Sequence, residues 1–82
     1  MKRTNKPLAF LDLETTGLYA GTHEIIEASV IIGQRIFHVK VKPEHIERAQ
    51  EKALQINGYN PKGWEAGVSQ KYLAQKLAEL LD

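Results

Sequence analysis

Cysteine is absent from this sequence of 82 residues, which excludes a disulfide framework and any thiolate metal site. Charge of one sign is not in excess either. Eleven basic residues against 10 acidic ones leave a net charge of +1, so attraction by the whole molecule cannot gather a polyanion. A nucleic acid would have to be held by local chemistry, with bound cations the obvious means. The basic opening MKRTNKP is not followed by an apolar stretch of signal-peptide length, because LAFLDLE meets acids almost at once. No apolar run is long enough to span a bilayer. These absences set the expectation of a soluble, cytoplasmic protein with no membrane partner. A chain this short leaves no room for a second domain, while 43% apolar and 26% charged residues are the composition of a chain that folds. Residues 1–82 are therefore expected to lie within one domain.

Leu8 to Leu13 is an almost unbroken apolar run of strand length, the mark of a strand covered on both faces. Thr15-Thr16-Gly17 ends it with turn-forming types, and Leu18 to Thr22 continues as loop. Glu24 to Ile32 reads as a second strand, with Ile26, Ala28, Val30 and Ile32 on one face. Gly33-Gln34 has the chemistry of a type II′ hairpin turn, after which Phe37, Val39 and Val41 alternate with His38, Lys40 and Lys42. Glu44 to Asn57 carries Ile46, Ala49, Ala53 and Ile56 at helical spacing, closed by Gly58 as a C-cap. Tyr59 to Gly67 is rich in turn residues. From Val68 to Leu81, Tyr72, Leu73, Leu77, Leu80 and Leu81 form one apolar stripe, with Ser69 able to cap its start. The order is three strands followed by two helices, an α/β arrangement. It leaves the first strand with too few neighbours, and an uncovered apolar edge invites pairing with another segment, a second copy or another protein.

Asp12-Leu13-Glu14 carries the chemistry. Two acids two apart on a strand share a face, with Cβ atoms roughly 6.6 Å apart. Carboxylates so placed can converge on one divalent ion, or on two ions about 3.5–4 Å apart as in two-metal phosphoryl-transfer sites. Only hard oxygen ligands are on offer, which suits Mg²⁺ or Mn²⁺. Such a pair at a strand end is often no more than solvated. Here it terminates an apolar strand, where burying unpaired carboxylates would cost several kcal/mol and a cation would resolve the conflict.

The run Leu8-Ala9-Phe10-Leu11-Asp12-Leu13-Glu14-Thr15-Thr16-Gly17-Leu18, followed by Glu24-Ile25-Ile26-Glu27, resembles the first motif of the DEDD 3′-to-5′ exonucleases. That family includes the proofreading subunit of bacterial DNA polymerase III, ribonuclease T and oligoribonuclease. The likeness continues through Lys42-Pro43 and Ala53-Leu54-Gln55-Ile56-Asn57-Gly58. It implies part of a ribonuclease H-like fold, with the first strand central in a mixed sheet. It implies that Asp12 and Glu14 are catalytic metal ligands, Asp12 to both metals and Glu14 to one. It implies further that Thr15 and Thr16 lie against the 3′-terminal nucleotide, and that Ile56 and Gly58 belong to the pocket for its base. The substrate would be the 3′ end of single-stranded DNA or RNA.

The family also uses two later aspartates and a histidine that activates water. His23, His38 and His45 do not stand in its His-x-Ala-x-x-x-Asp context, and Glu27 and Glu65 lack a spacing that would replace the aspartates. These residues therefore read as the N-terminal part of an exonuclease domain holding the first half of a site. Trp64 and Tyr59 could stack on a base, though burial is the commoner role of such residues. The alternatives are a catalytically silent nucleic-acid-binding or assembly module, or a truncated fragment of such an enzyme.

Overall fold

A computed structural model describes residues 8–81; the basic opening segment, Met1 to Pro7, lies outside them. Three strands come first: β1 (Ala9–Thr15), β2 (Ile25–Ile32) and β3 (Arg35–Lys40). They form one antiparallel sheet in the order β1-β2-β3. The β2–β3 connection is the two-residue Gly33-Gln34 turn, in which Gly33 takes φ 59°. A positive φ at the first turn position alone is what a type II′ hairpin requires, and glycine adopts it without strain.

After β3 the chain makes a 3₁₀ turn at Ile46–Arg48, then α1 (Glu51–Asn57), α2 (Pro61–Trp64) and α3 (Gln70–Leu81). The stretch Glu44 to Asn57, expected to be helical with part of it loop, is thus two short pieces. Their separation has a visible cause. The Gln50 N–H donates to the Thr16 carbonyl at 2.7 Å, and Ala49 and Gln50 are drawn into extended conformations with ψ 146° and 124°. A contact with a distant turn has overridden local helical spacing. Gly58 closes α1 in the left-handed conformation, φ 67°, as its position suggests. The turn-rich Tyr59–Gly67 stretch contains α2, started by Pro61 in the first turn and by the Asn60 side chain, which accepts the Gly63 N–H at 2.6 Å. Ser69 caps α3, its hydroxyl accepting the Tyr72 N–H at 3.0 Å.

The core lies between α3 and one face of the sheet. Leu73, Ala28 and Val41 are buried there, with Leu13, Ile25, Phe37, Val39, Val68 and Leu77 packed around them. Fully burying a side chain such as Leu73 contributes about 1.5–3 kcal/mol. Tyr72 and Leu81, expected in the apolar stripe, are exposed. Two devices hold α3 in place. Val68 pairs in parallel with Val41, and the Gln70 amide donates to the carbonyls of Ile25 at 2.7 Å and Lys42 at 3.0 Å.

β1 differs from the strand expected from its apolar run. Among the described residues it has one neighbour, β2, and is an edge strand. Leu8, Phe10 and Leu11 are 78%, 62% and 47% exposed. Continuous hydrophobicity is the sequence of a doubly covered strand, and the described residues supply too little to cover it.

Candidate active site around the acidic pair

Antiparallel pairing fixes which side chains share a face. Asp12 stands opposite Ser29, and Ser29 opposite His38; Glu14 stands opposite Glu27, and Glu27 opposite Lys40. Directly opposed residues point to the same side of a sheet. The face away from α3 therefore carries two polar rows, Asp12–Ser29–His38 and Glu14–Glu27–Lys40. Asp12 is exposed and Glu14 half-buried. Glu14 and Glu27 are like charges directly opposed, an arrangement that is destabilising by itself. On the far side of Glu27, the His38 Nε2 lies 2.6 Å from its carboxylate.

Just beyond Glu14 the register shifts, because Thr15 pairs with Ile25 while Glu14 pairs with Glu27. Ile26 is the extra residue of this bulge. Its carbonyl accepts the Val41 N–H at 2.9 Å and the Trp64 indole N–H at 2.6 Å. Bulges bend a strand and re-aim its side chains, and this one sits where the acids give way to the turn. Trp64 is buried, with the Tyr59 ring 5.1 Å away and the Lys40 ammonium 4.6 Å from its centroid. Its role among the described residues is packing.

The turn Thr15–Leu18 is held from several directions. Thr16 is fully buried; its N–H donates to the Glu24 carbonyl at 2.9 Å, and its hydroxyl accepts the Glu24 N–H at 3.0 Å. The Thr15 hydroxyl donates to the Gly17 carbonyl at 2.7 Å. Two residues complete the clamp, Gln50, which sequence reasoning passed over, and Asn57, which it named only within the Ile56-Asn57-Gly58 stretch: the Gln50 side chain accepts the Leu18 N–H at 3.1 Å, and the Asn57 amide donates to the Thr15 carbonyl at 2.9 Å. Glu24 adds a third anchor, its two carboxylate oxygens accepting the N–H groups of Glu44 and His45 at 2.8 and 2.7 Å. No local pattern announces such bonds, which span 20 or more positions.

Asp12, Glu14, Thr15 and Thr16 thus lie on one continuous stretch, and α1 rests against its turn through both ends. Gly58 follows Asn57 directly and brings the end of α1 to that neighbourhood. Ile56 is 74% exposed and packs little against anything described. Losing the Asn57 bond should cost about 0.5–1.5 kcal/mol. Asn57→Ala is therefore expected to lower the melting temperature by about 4–8 °C for each kcal/mol lost. An unchanged thermal melt would mean that the clamp contributes nothing to folding.

Hard carboxylate oxygens at Asp12 and Glu14 suit a divalent cation in kind. They fall short in number. No group of three His, Asp or Glu side chains among the described residues is arranged to hold a metal ion, and Glu27 is drawn toward His38 instead of joining the pair. The sequence matches the family model RNase_T, described as exonuclease, over residues 9–82. No curated protein matches it.

Proposed function

This chain belongs to the exonuclease family RNase_T, and on that premise we propose that it serves metal-dependent 3′-to-5′ hydrolysis of phosphodiesters, contributing the first half of the active site. The observation that carries this reading is the acidic pair on one face of β1, running directly into a turn clamped by α1. Asp12 and Glu14 would hold Mg²⁺ or Mn²⁺. Bound there, such ions supply charge neutralisation of the phosphoryl oxygens and activation of water. Thr15 borders the 3′-terminal nucleotide; Thr16, fully buried, does not touch it and acts by shaping the turn from beneath, and Gly58, with the exposed Ile56, borders its base. Rigidity of the turn matters, because misplacement by about 1 Å can cost on the order of 10²-fold in rate. The partners proposed are 3′ ends of single-stranded DNA or RNA, together with either self-association or a further C-terminal segment along the outer edge of β1.

Two carboxylates are fewer than such ions require, so water must fill the remaining positions and affinity should be weak. Calorimetric titration with Mn²⁺ is expected to detect weak binding that Asp12→Asn removes; binding undiminished in that variant would refute the assignment. A second reading has its own observation. The scarcity of metal-holding groups among the described residues favours a catalytically silent nucleic-acid-binding module, which would bind oligonucleotide equally well with Mn²⁺ or a chelator.

A further inference from the structure

Beside the clamped turn lies an open depression of about 360 Å³, lined by Thr15, Gly17, Leu18, Tyr19, Ala20 and His23. The proposed reaction assigns nothing to Tyr19 or His23, yet their arrangement is specific. Tyr19 is 64% exposed. Single exposed aromatics on loops are common and by themselves mean little. The backbone that carries this one is fixed: its N–H donates to the His23 ring Nδ1 at 3.0 Å, and its carbonyl accepts the N–H groups of Thr22 at 3.2 Å and His23 at 2.9 Å. The two rings lie 5.9 Å apart at a tilt of 31°, within the range of favourable aromatic pairs.

The imidazole is in turn fixed by the turn beneath it. A Cβ placed on Gly17 would lie 2.5 Å from the His23 ring, so only glycine allows the ring to sit flush against that backbone. The result is a Tyr ring presented to solvent on a loop whose backbone is tied at three points. Holding a ring ready in this way lowers the ordering cost of a ligand stacking on it. The depression begins at Thr15, which ends β1 one residue beyond Glu14; neither acid lines it.

We infer that Tyr19, backed by His23, is a stacking shelf for a nucleobase of single-stranded nucleic acid, taking the nucleotide next to the one placed against Thr15. This rests on the reading of that turn as the site of the terminal nucleotide. Every base has a π-face, so the shelf tolerates any sequence, and purines gain most because they cover more of the ring.

The test titrates a 5′-fluorescein-labelled single-stranded deoxyadenylate decamer with the intact chain in Mn²⁺, followed by anisotropy. Tyr19→Ala is expected to weaken binding about 5- to 160-fold, the range typical of losing one stacked base. Tyr19→Phe keeps the ring and should restore it. Deoxyadenosine 5′-monophosphate, which fills only the turn, should compete equally against wild type and Tyr19→Ala. Unchanged decamer affinity in Tyr19→Ala, equal weakening toward the mononucleotide, or failure of Tyr19→Phe to restore binding would each overturn the shelf. Asp12→Asn in the same titration separates the two ideas. If it weakens binding while Tyr19→Ala does not, the shelf is wrong and the exonuclease reading stands; if the wild-type chain does not bind the decamer, both fall.

Discussion

Incubated with a 3′-labelled oligonucleotide and Mn²⁺, the 82-residue chain is expected to release no more mononucleotide than buffer does. The described residues offer Asp12 and Glu14 as ligands and no third group placed to join them. Two of the three histidines are bonded elsewhere, and the third, His45, is about half exposed. His23 accepts the Tyr19 N–H, His38 is bonded to Glu27, and His45 lies 3.9 Å from the Glu47 carboxylate. General base catalysis is typically worth about 10²–10⁴-fold, and an incompletely held metal pair forfeits more. The remaining ligands and the base would have to come from outside these residues. Robust release of mononucleotides, abolished by Asp12→Ala, would show instead that the chain is self-sufficient.

What the sequence made legible about the fold is what rests on local chemistry. The Gly33-Gln34 hairpin, the Gly58 cap and the Ser69 cap each depend on a few neighbouring residues, and each appears where the residue types put it. The face shared by Asp12 and Glu14 was equally readable, since strand alternation alone decides it. The opposition of Glu14 and Glu27 was not, because register across a bulge depends on where one strand accommodates an extra residue. Gln50, Asn57 and Glu24 were illegible for a similar reason: each acts on backbone groups brought near only by folding. The helix read over Glu44 to Asn57, with part of that stretch left open as loop, is α-helical only over Glu51–Asn57, for the same reason. Its apolar spacing was real, but Gln50 bonds the turn and pulls the chain out of helical conformation. Asn60-Pro61 did carry a signal, a cap followed by proline at the first helical position, which the surrounding glycines masked.

Concentration-dependent association through the outer edge of β1, or marginal stability, is the other large effect expected. Phe10 lies on the face of the acidic pair and Leu11 on the face of α3, and both are more than two-fifths exposed at 62% and 47%. Burying a Leu or Phe side chain contributes about 1.5–3 kcal/mol. Leaving Leu8, Phe10 and Leu11 largely uncovered therefore forgoes a substantial share of the roughly 5–15 kcal/mol that holds a small domain together. The same strand presents backbone donors and acceptors with no partner strand among the described residues, which is the template on which edge-to-edge pairing occurs. Covering that edge serves both deficits at once. Sedimentation over a concentration series should detect association, and thermal melting should give a low or concentration-dependent transition. Phe10→Lys places a charge on the exposed edge and should suppress association, since charged side chains on an edge strand oppose pairing. Because Phe10 contributes little to the core, that variant should still fold. A wild-type chain that stays monomeric at every concentration, with a sharp transition at high temperature, would mean that these residues cover their own core and that β1 needs no partner.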